Sequence, residues 1–496
     1  MSERVLPEGW VETKLGELNA YVSRSFDPKK NPDVACELYS VPVFFDGQPE
    51  KVEGKEIGST KQHVEPGDVL VCKINPRINR VWKVGKAREH LQIASSEWIV
   101  VRQVYCDSRY LMHYFQSPGF RAMLCSDVSG VGGSLTRAKP KLVAGYSVPV
   151  CSLSEQKAIA DKLDELLAQV NNLKARLYAI PAILKRFRQS VLAAAVSGKL
   201  TRDFSSDDSI YYQEIEEEVQ ADTKLSKVAL LSADEIELAK ALHGDVDWRR
   251  WRVYPLSQLV DSSRGIPYGI VQTGDHDEDG IPVIRCGDVE ALKISPGELK
   301  KVLPSISESY SRTLLRGGEV VLAIRGSVGN ATVVPEAMKG NNISREVALI
   351  PVIDKVDARY IALVLQSPGG YRCLAEKVKG VAQKGINLSD VRRFVTPLPT
   401  LQEQQEIVRR VDQLFAFADQ IEQQVKNAQA RANKLTQSIL AKAFRGDLTA
   451  EWRAANPELI SGENSAEALL ERIKAEKTNQ KPVAKQRKQD AVGTAG

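Results

Sequence analysis

The sequence predicts an α+β protein in which two similar globular domains are separated by two long antiparallel coiled-coil helices, the whole arranged as a pseudo-two-fold internal repeat. Three observations predict it. A helix-opening stretch is written twice, a four-three alternation of apolar residues follows each copy, and short strand-like segments fill the chain ahead of each.

The repeat comes first. "SLSEQKAIADKLDEL" from Ser152 recurs as "TLQEQQEIVRRVDQL" from Thr400, 248 residues later. That offset pairs Pro149 with Pro397, Leu153 with Leu401, Glu155 with Glu403 and Gln156 with Gln404, and continues through Ser190/Ser438, Gly198/Gly446, Leu200/Leu448 and Thr201/Thr449. Upstream, "RYLMHYFQSPGFR" from Arg109 matches "RYIALVLQSPGGYR" from Arg359 after a short indel, and "WVETKLGEL" from Trp10 has a looser echo in "WRVYPLSQL" from Trp251. The expected division is a first globular domain over 1–151, a long helix over 152–199, an acidic linker with short helices over 200–250, a second globular domain over 251–399, a second long helix over 400–447, and a C-terminal extension over 448–496 that is largely disordered at its end. At 496 residues, more than one core is required, since single cores stop growing near ~250–300 residues.

Each long helix carries its own start signal. Ser152 and Thr400 stand three residues before Glu155 and Glu403, the capping-box arrangement. Apolar residues then recur at Ile159, Leu163, Leu166, Val170, Leu173, Leu177, Ile180, Leu184, Phe187 and Val191. In the second copy they fall at Ile407, Val411, Leu414, Ala418, Ile421, Val425, Ala428, Ala432, Leu435 and Ile439. This is the narrow stripe of a coiled-coil seam, and each stripe requires a partner. Gly198 and Gly446 supply the stop signals. About 45 residues at helical rise make a rod of roughly 65 Å. Pro181 removes one ladder hydrogen bond and is expected to kink the first rod. If the stripes pair within the chain, the first helix leads away from the first domain and the second points back, which makes the rods antiparallel with one domain at each end. A dimer of parallel coils is the other arrangement the spacing permits.

Inside the globular halves, "EPGDVLVCKI" (Glu65–Ile74) and "LRGGEVVLAIRG" (Leu315–Gly326) read as turns followed by short alternating strands, as do "EWIVVR" and "REVALIPV". Residues 201–250 contain the acidic patch "QEIEEEVQAD" and show no repeat partner, and the tail holds one amphipathic stretch, "SAEALLERIKAE".

Composition excludes several classes. A hydrophobic fraction of 43% and a charged fraction of 26% suit a folded globular chain. No apolar run approaches the ~20 residues of a membrane span, and "MSERVLPEGW" lacks a secretion-signal core, so a cytoplasmic protein is expected. Seven cysteines (Cys36, Cys72, Cys106, Cys125, Cys151, Cys286, Cys373), odd in number and without a CxxC pair, suit reduced thiols. A net charge of +5 permits an acidic partner without demanding one.

The longest acid-free basic segment, "KINPRINRVWKVGKAR", holds Lys73, Arg77, Arg80, Lys83, Lys86 and Arg88 around Trp82. It suits phosphate neutralisation and guanine-edge contacts, and equally a solvated loop between strands. The comparable position in the second half, "IRGSVGNATVVPE", holds Arg325, Ser327 and Asn330 around Gly326 and Gly329, glycines that allow either close backbone approach or a simple hairpin turn. Weaker candidates are "TRAKPK", with Arg137 and Lys139, and "QKGINLSD", with Lys384 and Asn387. Enzymatic readings fare poorly. There is no GxxxxGK[ST] loop; "INPR" lacks the second proline and the aromatic of an amino-methyltransferase pocket; a nuclease-like trio of Asp33, Glu53 and Lys55 lies in a stretch too polar for a buried strand; and His63, His90, His113, His243 and His276 show no ligand spacing. No catalytic, cofactor-binding or metal residue is assigned.

This organisation resembles the specificity subunit of Type I restriction-modification enzymes. The resemblance rests on "LPEGWVETKLGEL", on the helix starts "SLSEQKAIADKLDELLAQV" and "LPTLQEQQEIVRRVDQLF", on the helix ends "SVLAAAVSGKLT" and "SILAKAFRGDLT", and on "GDVLVCKINPRINRV" and "RGSVGNATVVP", over about residues 1–455. It implies two target-recognition domains at either end of an antiparallel spacer, each reading one half of an asymmetric, gapped site in double-stranded DNA. It further implies two methyltransferase subunits gripping the spacer and flipping target adenines, and two restriction subunits, each a motor and nuclease. S-adenosylmethionine, ATP and magnesium then belong to those partners, and the chain itself is non-catalytic, without cofactor or metal. The long acidic connector and the basic tail depart from the family pattern. The rival from another class is a non-DNA coiled-coil adaptor with two protein-binding domains. A self-sufficient restriction enzyme is disfavoured by the missing catalytic motifs.

Overall fold

The computed structural model describes residues 6–478, apart from 87–88, 127, 130–135, 205–208, 222–230, 245, 247, 249, 296 and 379–384. The chain forms two compact units, Met1–Tyr178 with Asn427–Gly496, and Ala179–Lys426. The division passes through both long helices, so each unit holds the start of one and the end of the other.

In the first unit, Val81–Lys83, Val69–Cys72 and Trp98–Val101 form an antiparallel three-stranded sheet in that order. Beside it lies a five-stranded sheet whose central pair, Leu91–Ala94 with Ala35–Tyr39, is parallel. The middle strand of the smaller sheet, Val69–Cys72, is buried along its whole length. Val69 and Val71 enter one core, against the helices Ser108–Gln116 and Pro118–Ser126, while Leu70 and Cys72 enter another, with Tyr39, Trp98 and Phe44. The expected in-out alternation is therefore absent here, because the sheet is covered on both faces. Val11–Lys14 pairs antiparallel with Ser147–Val150, which brings the start of the domain beside the residue that opens the long helix.

The second unit repeats this plan. Ala331–Val333, Val320–Ala323 and Val347–Ile350 form one of its two three-stranded sheets, and the middle strand is again wholly buried, with Val320 and Leu322 in one core and Val321 and Ala323 in another. Arg252–Pro255 pairs with Val395–Leu398 as the counterpart of the first unit's terminal pair.

The long helices run Leu153–Val196 and Leu401–Ala443 and pack on each other antiparallel. In the first unit, Lys174 Nζ donates to Thr436 Oγ1 (2.9 Å) and Gln429 Nε2 to the Leu177 carbonyl (3.2 Å); in the second, Arg188 meets Asp419 (2.5 Å) and Glu422 (3.0 Å). Of the seam positions, Ile159, Leu163, Val170, Leu184, Val191, Ile407, Val411, Ala418, Val425 and Ala432 are buried. Leu166, Leu177, Ile180, Phe187, Leu414, Ile421, Ala428 and Ile439 are half-buried. Leu173 and Leu435 depart from the seam: they are 46% and 45% exposed. The neighbouring Lys174–Thr436 hydrogen bond crosses between the helices at that level, so the leucines on either side turn outward. At Pro181 the helix continues, and the Leu177 carbonyl, which would ordinarily take the amide four residues on, is satisfied instead by Gln429.

The linker is more than a tether. Its helices Ser209–Ala221 and Ala233–His243 dock on the second unit, where Tyr212 and Ile215 enter the core and the Tyr211 hydroxyl donates to the Lys355 carbonyl. The acidic patch is matched to cations of the same unit, with Glu214 and Glu218 near Lys355 and Glu216 on Arg252. The first unit has a corresponding helix in 466–478, which buries Leu469 and Ile473 in its core and bonds Tyr105 through Glu476. A repeat partner for the linker thus exists in space, although no sequence signal marks it. All seven cysteines are free thiols. No helix among the described residues is long and apolar enough to cross a membrane.

Candidate nucleic-acid interface

The three-stranded sheets centred on Val69–Cys72 and Val320–Ala323 each project one hairpin loop; Lys73, Arg77 and Arg80 lie on the first and Arg325, Ser327 and Asn330 on the second, whereas Lys83, paired opposite Val69, and Lys86 lie at the far end of the first hairpin. In the first unit the loop between Val69–Cys72 and Val81–Lys83 is closed by the Cys72 amide on the Arg80 carbonyl (3.0 Å). Asn75 (φ 47°) and Asn79 (φ 51°) take left-handed conformations on either side of the turn Pro76–Ile78. Asparagine tolerates that region better than other residues with a Cβ. The turn lifts Arg77 and Ile78 into solvent, Ile78 being 49% exposed. In the second unit the corresponding loop closes by the Ala323 amide on the Asn330 carbonyl (2.8 Å), and Gly326 (φ 65°) and Gly329 (φ 93°) make the left-handed turns. These glycines serve the hairpin, and a side chain at 329 would meet the Tyr371 ring at 3.0 Å.

A second candidate segment lies beside each loop. Ile74 bridges to Arg137, with the Ala138 amide on the Lys73 carbonyl (2.8 Å); Arg325 bridges to Gly385, with the Ile386 amide on the Ile324 carbonyl (2.9 Å). Stretches far apart in the sequence thus meet in the same way in both units.

The individual candidates separate into two groups. Arg77, Lys86, Lys139, Arg325, Ser327 and Asn387 are exposed, Lys83 is half-buried, and none of their side chains has a hydrogen bond or ion pair among the described residues. Arg80, by contrast, is only 8% exposed; its guanidinium turns inward to donate to the Ile74 carbonyl (2.9 Å) and the Cys72 sulfur, and so holds the loop rather than a ligand. Lys73 and Arg137 converge on Glu97, and Asn330 Nδ2 donates to the Val289 carbonyl (3.0 Å). Lys384 and Arg88 lie outside the described residues. Sequence reasoning missed three side chains that brace the loops from behind: Arg121, which donates to the Arg77 carbonyl, Gln366, which donates to the Gly329 carbonyl (2.6 Å), and Tyr371, half in solvent against Gly329.

The repeated Glu-Gln pair explains how these loops are held to the helices. Ser152 Oγ accepts the Glu155 amide (3.1 Å) and Thr400 Oγ1 the Glu403 amide (3.4 Å), so the caps form. The expected capping box is only half present, because the carboxylates have other partners. Glu155, fully buried, accepts from Trp10 Nε1 (3.0 Å), Thr449 Oγ1 (2.7 Å) and Arg453 Nη1 (2.5 Å). Glu403 accepts from Trp251 Nε1 (3.2 Å), Thr201 Oγ1 (2.6 Å) and Arg250 Nη2 (2.7 Å). The glutamines tie the short helices: Gln156 Oε1 accepts the Asp107 amide (3.0 Å) and Gln404 Oε1 the Asp357 amide (2.8 Å). In each unit one Glu-Gln pair thus joins the start of the globular part, the start of one long helix and the segment after the end of the other.

Among the described residues, no cluster of His, Cys, Asp and Glu is arranged to hold a metal ion. The family model for the Type I restriction modification DNA specificity domain matches residues 249–429. The Type I restriction enzyme EcoBI specificity subunit of Escherichia coli is 40% identical over 84% of this chain and 80% of its own length. The EcoKI specificity subunit of Escherichia coli K12 is 34% identical over 96% and 97%. Among solved structures, a chain of a type I R-M system superimposes with a TM-score of 0.62 at 20% identity over 89% of this chain and 99% of that one, and the HsdS subunit from Thermoanaerobacter tengcongensis with 0.54 at 21% over 90% and 99%. Identity and coverage of this extent, on a twice-written domain joined to paired antiparallel helices, establish that the chain belongs to the Type I restriction enzyme specificity subunits.

Proposed function

We propose that the chain reads a bipartite, gapped site in duplex DNA, one half with each hairpin loop, and positions two methyltransferase and two restriction subunits on it. The observation that carries this reading is the pair of equivalent loops, each presenting an exposed arginine whose side chain has no partner among the described residues, Arg77 in one and Arg325 in the other. Unpaired surface cations of this kind neutralise phosphates, and arginine presents two parallel donors to a guanine edge. The family relationship favours DNA over a protein ligand for these loops. The chain acts without catalysis of its own: S-adenosylmethionine, ATP and magnesium serve the partner subunits, and the assembly works in the cytoplasm. The paired helices set the gap, as subunit geometry sets half-site spacing in dimeric DNA binders.

The test is binding of duplex DNA by the assembled methyltransferase as a function of salt. Arg77→Ala and Arg325→Ala each weaken cognate binding far more than Lys474→Ala, a change on the exposed face of the C-terminal helix. Equal affinities for all three variants overturn the assignment. Removal of one heptad from both helices shifts the gap in the methylated site and leaves both half-sites unchanged.

A further inference from the structure

Arg345 belongs to none of the basic stretches the sequence marks, yet the fold brings it to the same end of the sheet as Arg325. Val320–Ala323 and Val347–Ile350 pair antiparallel with Ala323 opposite Val347, and the next rung is kept by the Ile324 amide on the Glu346 carbonyl (2.9 Å). Beyond that rung the two segments part: Arg325 bridges to Gly385, and Arg345 stands in the turn between Asn342–Ile343 and Val347–Ile350 with its amide on the Ile270 carbonyl (2.8 Å), so that both lie at the same end of the sheet. Both are exposed, and neither guanidinium has a hydrogen bond or ion pair among the described residues. Two arginines so placed offer a ligand donors for two acceptors.

Glu346, next to Arg345 in the chain, keeps its charge at this end. Glu346 accepts from Cys286 Sγ (3.0 Å), and Cys286 Sγ lies where a side chain at Gly326 would be, 2.8 Å from that position. Burial, and then Glu346 itself, push the Cys286 thiol up, so the thiol stays a protonated donor to the carboxylate. The first unit solves the same position differently. There the Lys73 amide bonds the Glu97 carbonyl (3.1 Å), and the Glu97 carboxylate is taken by Arg137 (3.1 Å) and Lys73 (3.8 Å), with Ser96 next to it and no free arginine pair.

We propose that Arg345 is a base-reading residue of the second reading loop, acting with Arg325 on the O6 and N7 acceptors of a guanine in the major groove. This rests on the DNA-reading function proposed above and assigns one chemistry to that site. A phosphate is the poorer occupant, because the Glu346 carboxylate at the same end repels an anion, whereas the neutral acceptor edge of guanine does not. The first loop, whose equivalent acid is already neutralised by its own cations, reads its half-site by other contacts. The two halves of the site then differ in sequence.

The experiment compares Arg345→Ala and Arg345→Lys in the full chain, assembled with its methyltransferase, by sequencing the methylated sites in cells and measuring affinity on duplexes varied at each position of both half-sites. The expected result is loss of discrimination at a single G·C pair of one half-site, by about 5- to 150-fold, the span of one bidentate base contact. The other half-site and the gap are unchanged, and lysine fails to rescue because it cannot present the paired donors. An equal loss on every sequence that lysine restores identifies a phosphate contact and overturns the proposal, as does wild-type discrimination by Arg345→Ala. Failure of the wild-type assembly to bind duplex DNA refutes the underlying function instead, and is distinguished because it needs no variant.

Discussion

Replacing Glu155 by alanine tests the attachment of the first globular part to the helices most directly. The carboxylate is fully buried and accepts three hydrogen bonds, from Trp10, Thr449 and Arg453, the last with a side chain only 13% exposed. Removing one partner of a buried ion pair leaves the other charge uncompensated, at a cost of about 3–5 kcal/mol. Two further donors lose their acceptor, at about 1 kcal/mol each when water can enter in part. Glu155→Ala is thus expected to lower the stability of the first unit by roughly 5–7 kcal/mol. Glu155→Gln keeps the acceptor for Trp10 or Thr449 but removes the charge facing Arg453, so it costs less. The assay is urea denaturation followed by Trp10 and Trp452 fluorescence and by protection of residues 448–478 from proteolysis, with Glu403→Ala as the matched change in the second unit. A Glu155→Ala chain within ~1 kcal/mol of wild type would refute the clamp, since that is the scale of one ordinary hydrogen bond.

Arg80→Ala should lower the melting temperature of the first unit through loss of its contacts to Ile74 and Cys72, while the salt dependence of DNA binding stays that of wild type; a reduced salt slope by ~1 would make Arg80 a phosphate ligand instead. Gln429→Leu should cost about 1–3 kcal/mol, because it strands the Leu177 carbonyl that Pro181 has left without a partner, and the double variant with Pro181→Ala should recover most of the loss in a thermal melt. His243 is held neutral by burial, its pKa lowered to about 4 from 6.5, so its contribution is complete above pH 6.5 and is lost as pH falls toward 4. The helix Ala233–His243 should therefore loosen between pH 6.5 and 4 by up to about 3 kcal/mol, read as faster amide exchange in 233–243, with His243→Phe flattening that dependence.

What the sequence shows and what it hides follow the range of the interactions. The paired helices were legible because a seam repeats every three and four residues, a local signal that survives even where Ala418 or Ala432 replaces a larger side chain. The outward turn of Leu173 and Leu435 was not, since periodicity places a residue on a stripe but does not show that a cross-helix hydrogen bond occupies that level. Arg77 and Arg80 look alike in a charge count, and only the left-handed turns at Asn75 and Asn79 decide that one points out and the other in. Glu155 read as half of a capping box because Ser152 is three residues away, whereas its side-chain partners Trp10 and Thr449 are 145 and 294 residues away. That Arg325 and Arg345 come to one end of the same sheet is a matter of strand pairing between separate segments and leaves no mark on composition.

The Glu-Gln pair also bears on how a reading loop can be aimed. A globular part attached by one helix alone could swivel about the single chain connection. In the first unit, Glu155 fixes the start of the first long helix to Trp10 and, through Thr449 and Arg453, to the segment after the end of the second, while Gln156 holds the short helix that begins at Ser108 and packs beneath the loop strand Val81–Lys83. Two attachments to antiparallel elements remove the swivel that one would leave. The path then runs through a chain of hydrogen bonds anchored on the buried Gln156 and Tyr110: Gln156 to Asp107, Asp107 to the first turn at Arg109 and Tyr110, and Tyr110 to the Pro149 carbonyl that precedes the long helix. The second unit repeats each link with Gln404, Asp357, Arg359, Tyr360 and Pro397. The residues retained in both copies are thus those that orient the loops, whereas the loop residues themselves, Arg77 against Val328 and Ile74 against Arg325, are free to differ. A rigid frame with interchangeable tips suits the reading of two unlike half-sites proposed above.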